Sequence, residues 1–168
     1  MSSNTPFDLI VIGGGPGGYV AAIRGAQLGF RVALVEKEAR LGGTCLRVGC
    51  IPSKALLQSS HLYHMAQEDL GAHGIEVGET RLNLRAMLER KDRVVSTLAK
   101  GVEGLLKKNK IERFTGTGTF VSSTTIQVTE ESGTSKTIEG NRIVIATGSQ
   151  VAPLRGVQWD GEHVVTSA

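Results

Sequence analysis

The sequence predicts an α/β fold: a Rossmann-like domain with a central parallel sheet, a long helix pair and a small antiparallel β meander. Three observations carry that expectation. A short apolar run at residues 7–12 passes directly into a glycine-rich loop and then a helical stretch. A second β-branched run follows at the spacing of a βαβ unit, whose strands are parallel and whose crossover is right-handed. Beyond a long amphipathic stretch, the pattern changes at residue 111 to short β runs.

Residues 7–12 (Phe-Asp-Leu-Ile-Val-Ile) read as a buried strand, being short and rich in β-branched side chains. A helix follows over about 16–28, with Val20, Ile23 and Leu28 as core-facing candidates and Gly29 as its C-terminal stop. Residues 31–35 form the second strand, ending at Glu36. Residues 41–50 lead into a helix that reaches about Ala66, and residues 71–79 form a loop. Leu84, Leu88, Val95, Leu98, Val102 and Leu105 recur at spacings of three, four or seven, which predicts one amphipathic helix ending near Lys108. Short strands are expected at 113–115, 119–121, 125–129 and 136–138, with a turn at Ser132-Gly133-Thr134. Residues 142–145 predict another buried strand, followed by Ala146-Thr147-Gly148. Residues 1–148 thus form one domain, and 149–168 read as a connector with no element of its own.

A chain of 168 residues suits one domain of ordinary size and buries enough surface to fold without a metal or disulfide framework. It contains 22 glycines, about twice the usual share of roughly 7%, which points to close backbone approaches to a ligand. The longest apolar run, residues 9–12, is far too short to cross a membrane. The N-terminus lacks the basic start and apolar core of a secretory leader. Two cysteines do not staple a secreted mini-protein, and a net charge of +3 does not argue for nucleic acid. The expectation is a soluble, cytoplasmic protein with neither a nucleic-acid nor a membrane partner. Residues 81–113 are rich in Lys and Arg (Arg81, Arg85, Arg90, Lys91, Arg93, Lys100, Lys107, Lys108, Lys110, Arg113), but no aromatics interleave, so the stretch reads as a solvated helix face.

Gly13, Gly15 and Gly18 fit G-x-G-x-x-G directly after a strand and at the start of a helix. The first glycine permits the tight turn, the second lets the backbone approach a pyrophosphate, and the third allows helix–strand packing. Pro16 opens the helix, whose free N–H groups and dipole then face a diphosphate. Glu36 ends the second strand at the distance where a carboxylate accepts both ribose hydroxyls and repels a 2′-phosphate. The competing reading is a glycine turn without a ligand, and the motif alone does not separate FAD from NAD.

Cys45 and Cys50 are five apart, so on one regular helix their side chains diverge by about 140°. Gly49 allows that turn to distort, and Pro52 places Cys50 near a helix N-terminus, where the dipole favours a thiolate. Lys54 lies four residues on, on the same helix face. A tight, reducible ring suits a catalytic disulfide. A structural disulfide, a zinc site drawing on His61 and His64, and two unrelated buried thiols are the competing readings; no four-ligand spacing is present, and no metal is expected.

Together these segments resemble the pyridine nucleotide-disulfide oxidoreductases, flavoproteins that pass electrons between NAD(P)H and a substrate disulfide. The most specific part is the run 42–57, Gly-Gly-Thr-Cys-Leu-Arg-Val-Gly-Cys-Ile-Pro-Ser-Lys-Ala-Leu-Leu; residues 17–23 and 146–149 agree with it. Pro52-Ser53-Lys54 followed by Ala-Leu-Leu favours the family's dihydrolipoamide-oxidising branch over glutathione reductase and mercuric reductase.

The resemblance implies FAD at the first glycine loop, held by Gly13, Gly15, Pro16, Gly18, Glu36 and Lys37, with Gly43, Thr44, Ala146, Thr147 and Gly148 beside it. It implies catalytic roles for Cys45, Cys50 and Lys54: Cys45 as the interchange thiol, Cys50 as the thiolate against flavin C4a, and Lys54 near flavin N5. The implied reaction is dihydrolipoamide oxidation with NAD⁺ reduction. The implied partners are the lipoamide of a 2-oxoacid dehydrogenase or glycine cleavage complex and a second subunit of a homodimer. A mercuric-reductase-like or other family member, or a non-catalytic FAD-binding module, is the alternative.

The chain departs from the family in three ways. Arg47 stands where the family usually has Asn, which adds a cation near the thiols and is expected to lower their pKa. Leu154-Arg155-Gly156 lacks the usual Pro before Gly. The sequence also ends where the family crosses into an NAD domain with a second glycine fingerprint, so it reads as an N-terminal portion, truncated before the NAD domain and not competent alone.

Overall fold

The computed structural model describes residues 5–166. Along the chain its elements are β1 (Leu9–Ile12), α1 (Pro16–Gln27), β2 (Val32–Glu36), α2 (Gly43–Arg47), α3 (Cys50–His64), α4 (Leu84–Lys108), β3 (Glu112–Thr115), β4 (Thr117–Phe120), β5 (Thr125–Thr129), β6 (Ser135–Glu139) and β7 (Ile143–Ile145). A parallel sheet in the order β3-β2-β1-β7 forms the centre, and β4-β5-β6 form the antiparallel meander. The α/β class, the parallel sheet and the meander are as the sequence predicts.

Side-chain alternation explains the layering. Successive strand residues point to opposite faces, and β1 and β2 are buried on both. Leu9, Val11, Val32 and Leu34 join Ala22 of α1 and Val95, Ala99, Val102 and Leu106 of α4 in one core. Ile10, Ile12, Ala33 and Val35 join Ile126 and Val128 of β5 and Ile138 of β6 in a second. Helices therefore cover one face of the parallel sheet and the meander covers the other.

Several elements differ from the sequence expectation, each for a packing reason. The run at 113–115 belongs to the parallel sheet, not to the meander: β3 pairs with β2, Arg113 opposite Leu34. The segment leading to Cys50 is itself helical, as α2. The helix expected to reach Ala66 ends as α3 at His64, and a π turn (Met65–Asp69) and a 3₁₀ turn (Leu70–His73) carry the chain into the loop.

In α1, Val20 and Leu28 are exposed; the buried face is Gly18, Ala22 and Gly25, small residues that let the helix lie close on the sheet. In α4 the buried stripe is Val95, Ala99, Val102 and Leu106, while Leu84, Leu88, Leu98 and Leu105 face outward. The strand expected to be buried at 142–145 is an edge strand: β7 pairs with β1, and Ile145 is 66% exposed. Residues 149–166 contain no helix or strand.

Candidate functional site

The C-terminal ends of parallel strands are where an α/β sheet places its ligands. Here the loop from β1 into α1 turns sharply at Gly13, whose backbone has φ +109° and whose Cβ, if present, would overlap the carbonyl of Ala146. A Cβ at Gly18 would overlap the Gly13 carbonyl, so α1 packs on its own entry loop only because residue 18 is glycine. Gly15 is different: its Cβ would meet nothing nearer than the Gly43 Cα at 3.6 Å. Its space is open.

Gly15 is also the N-cap of α1, with Pro16 at the first helical position, no side-chain cap and no acidic residue in the first turn. The helix therefore offers uncapped N–H groups to an anion. The tight turn at Gly13 and the close packing at Gly18 are as the sequence predicts.

Glu36 at the end of β2 is buried to 9% exposure. Its Oε2 accepts from the Gly14 N–H at 2.6 Å, and its Oε1 accepts from the Glu38 N–H at 2.9 Å. Each carboxylate oxygen retains a further lone pair. The side chain borders a cleft of about 330 Å³ that Gly13, Lys37, Thr147 and Gly148 also line, so these predicted residues meet in one place.

The cleft has walls that sequence reasoning missed: Gly116 between β3 and β4, Thr117 and Gly118 at the start of β4, and Ser149 and Gln150 beyond β7. The signal was the alternation Thr-Gly-Thr-Gly, because glycine inside a strand marks a close backbone approach. Gly14, whose N–H orients Glu36, was missed as well. A larger, open hollow of about 520 Å³ lies along residues 66–77; it contains Glu68 and Glu76 but none of the predicted site residues.

The thiols sit across from this loop. Gly43 has φ +57°, and a Cβ on it would come within 2.7 Å of the Gly15 Cα, so the start of α2 lies directly on the glycine loop. Gly42 N–H donates to Gly14 O at 2.8 Å and fixes the approach. Thr44 and Cys45 follow in α2, Val48 ends that helix, and Cys50 begins α3. A break between two helices, rather than one distorted turn, brings the cysteines together. Gly49 is required there by space: a Cβ would sit 2.9 Å from Thr44 O.

Both cysteines are free thiols, Cys45 half-buried and Cys50 exposed. The Cys45 thiol donates to the Cys50 sulfur, and this bond, followed by burial and the charge of Cys50, pushes the Cys45 pKa up; the Cys50 N–H and the Lys54 ammonium pull the other way. The lower pKa expected from Arg47 does not arise at Cys45. That guanidinium is turned to Glu38, with Nη1 2.8 Å from Oε2.

Among the basic residues of 81–113, Arg90 stays exposed while bonded to α3, whereas Arg113 is largely buried, in β3 rather than on the helix face. Arg90 donates to Ala55 O of α3 at 3.1 Å, and Arg113 donates to Glu38 O and Ala39 O at 3.0 and 2.8 Å.

A family model described as pyridine nucleotide-disulphide oxidoreductase matches residues 7–168. The chain is 52% identical over 160 residues to the mitochondrial dihydrolipoyl dehydrogenase of Pisum sativum, covering 95% of this chain and 32% of that protein. It is 52% identical over 167 residues to the mitochondrial dihydrolipoyl dehydrogenase of Schizosaccharomyces pombe, covering 99% of this chain and 33% of that protein. A leghemoglobin reductase of Vigna unguiculata is 51% identical over 95% of this chain. The chain thus spans about a third of the length of these relatives. Their names overturn the expectation of a cytoplasmic protein: the dihydrolipoyl dehydrogenases of Pisum sativum, Schizosaccharomyces pombe and Dictyostelium discoideum are all named mitochondrial. Composition, on which that expectation rested, does not encode an organelle.

Proposed function

The chain belongs to the pyridine nucleotide-disulphide oxidoreductases, and from that premise we propose that it is the FAD-holding, thiol-bearing part of an enzyme of the dihydrolipoyl dehydrogenase type. The observation that carries this reading is the approach of Gly43 to Gly15, which sets the dinucleotide loop against the helix bearing Cys45. The residues present fit the cofactor. The missing side chain at Gly15 and the uncapped N–H groups suit a diphosphate, Glu36 suits ribose hydroxyls, and the cleft beside Lys37 and Gly118 suits the adenine end. Thr44 in α2 and Lys54 in α3 flank the thiols in the chain and would face the flavin in this reading.

The chemistry assigned to the chain itself is thiol–disulfide exchange. With Cys45 and Cys50 joined, a substrate thiolate attacks the Cys45 sulfur and Cys50 leaves as thiolate. The substrate's second sulfur then closes the substrate disulfide and releases Cys45, so the protein pair gains the two electrons the dithiol loses. Thiolate rather than thiol is the nucleophile, and the position of Cys50 at the start of α3 favours it as the leaving group. FAD, when bound, supplies the two-electron step that reoxidises the pair and hands the electrons to NAD⁺, for which the whole enzyme requires a further domain. The dithiol is the dihydrolipoamide of a 2-oxoacid dehydrogenase or glycine cleavage complex, served by a homodimer.

The test is to load the chain with FAD and add dihydrolipoamide anaerobically. The expected result is a long-wavelength absorbance shoulder that depends on the thiols and is lost in Cys50→Ser. Bound flavin with no dithiol response would leave only a FAD-binding module.

A further inference from the structure

We propose that Arg47 is a positioning residue for the nucleotide site, an inference that rests on the dinucleotide reading above. Arg47 is the last residue of α2, two positions after Cys45. A helix of five residues does not hold itself in water, and Leu46 is the buried side chain of this one. The second anchor is polar. Arg47 Nη1 lies 2.8 Å from Glu38 Oε2, with the arginine side chain a quarter exposed. Among the described residues the buried Arg47 Nε has no acceptor, so Glu38 is what orients the guanidinium.

Residue 38 is gripped from three directions. Its carboxylate is held by Arg47 from α2, and its carbonyl by Arg113 from β3, at 3.0 Å. Its N–H donates to Glu36 Oε1 at 2.9 Å. Glu36 Oε2 in turn accepts from Gly14 of the glycine loop. A continuous set of polar contacts therefore runs from the cysteine helix, through the backbone of residue 38, to the carboxylate that borders the nucleotide cleft. An Asn at position 47 would be too short to span to Glu38 as the guanidinium does. The Arg47–Glu38 pair thus acts with Arg113 to hold the backbone of residue 38 where its N–H meets Glu36 Oε1, so that loss of either side chain loosens that backbone and with it the orientation of Glu36.

The experiment is calorimetric titration with ADP of the chain and of Arg47→Ala, Glu38→Ala, the double variant and the exchanged pair Arg47→Glu/Glu38→Arg. Arg47→Ala is expected to weaken ADP binding by about threefold to tenfold, as loss of a charge-assisted hydrogen bond would. The double variant is expected to be no weaker than either single one, and the exchanged pair to recover to within about twofold. Should Arg47→Ala melt at the assay temperature, Arg47→Lys is expected to keep ADP affinity and Arg47→Asn to lose it.

ADP binding unchanged in every folded variant, or an exchanged pair that stays as weak as the single variants, would overturn the role of Arg47 and leave the dinucleotide reading standing. No ADP binding by the parent chain would overturn both.

Discussion

At the scale of single residues, the three glycines of the loop separate by what surrounds them. Gly13 and Gly18 are required by the backbone itself, Gly15 by what it leaves room for. Gly18→Ala is expected to cost about 3 kcal/mol or more, because the clash is with the Gly13 backbone, and a thermal melt would show it.

The thiols yield a pH prediction whose sign follows from their contact. The Cys50 sulfur raises the Cys45 pKa, first by accepting its proton in a hydrogen bond. Cys45 therefore stays protonated to higher pH while Cys50 is present, and Cys50→Ala should move the midpoint of Cys45 alkylation to lower pH. Mass-spectrometric rates with iodoacetamide across pH 6–11 would measure the shift; an upward movement would contradict the assignment.

Glu38 carries the opposite sign: Arg47 holds its carboxyl below the usual range, first by hydrogen bonding. The pair's contribution to stability is present above the ordinary carboxylate pKa of about 4.3 and fades as pH falls through the lower folded value. Solvent screens it, since the glutamate is nearly half exposed. In Arg47→Ala the loss of stability between pH 5 and 3 should accordingly be shallower in urea melts.

At the scale of elements, legibility followed period and context. β1, α1 and β2 were readable because a strand, a glycine loop and a helix are consecutive and local. The face of α4 was not. Its sequence carries two interleaved apolar stripes, 95-99-102-106 and 84-88-98-105, and both satisfy helical spacing; only contact with α1 and the sheet decides which is buried. That decision is testable in chemical denaturation: Leu106→Ala should cost about 2–5 kcal/mol and Leu105→Ala less than about 1 kcal/mol. The partner of β3 was illegible for a related reason, since a four-residue strand carries no record of whether it pairs parallel with β2 or antiparallel with β4. The helix break at Val48–Gly49 was half legible: glycine marked the distortion, but two separate helices emerge only once Gly43 docks on Gly15.

At the scale of the whole molecule, three layers place one cleft at the strand ends and one thiol pair across a glycine contact from it. The predicted cofactor residues Gly13, Glu36, Lys37, Thr147 and Gly148 converge on that cleft. Its far wall at Gly116–Gly118 was only half legible: the Thr-Gly alternation marks a close backbone approach, but not that the partner is the end of β2, far back in the chain. The compartment was misjudged for want of any physical signal in the folded residues.

The most direct test of the account is a FAD titration, followed by flavin fluorescence, of the parent chain and of Gly15→Ala. The absence of a clash at residue 15 predicts that the variant melts within about 1 kcal/mol of the parent, while its methyl occupies the diphosphate position and weakens FAD by about tenfold or more. Equal FAD binding by the two proteins would contradict the claim that the diphosphate lies at Gly15.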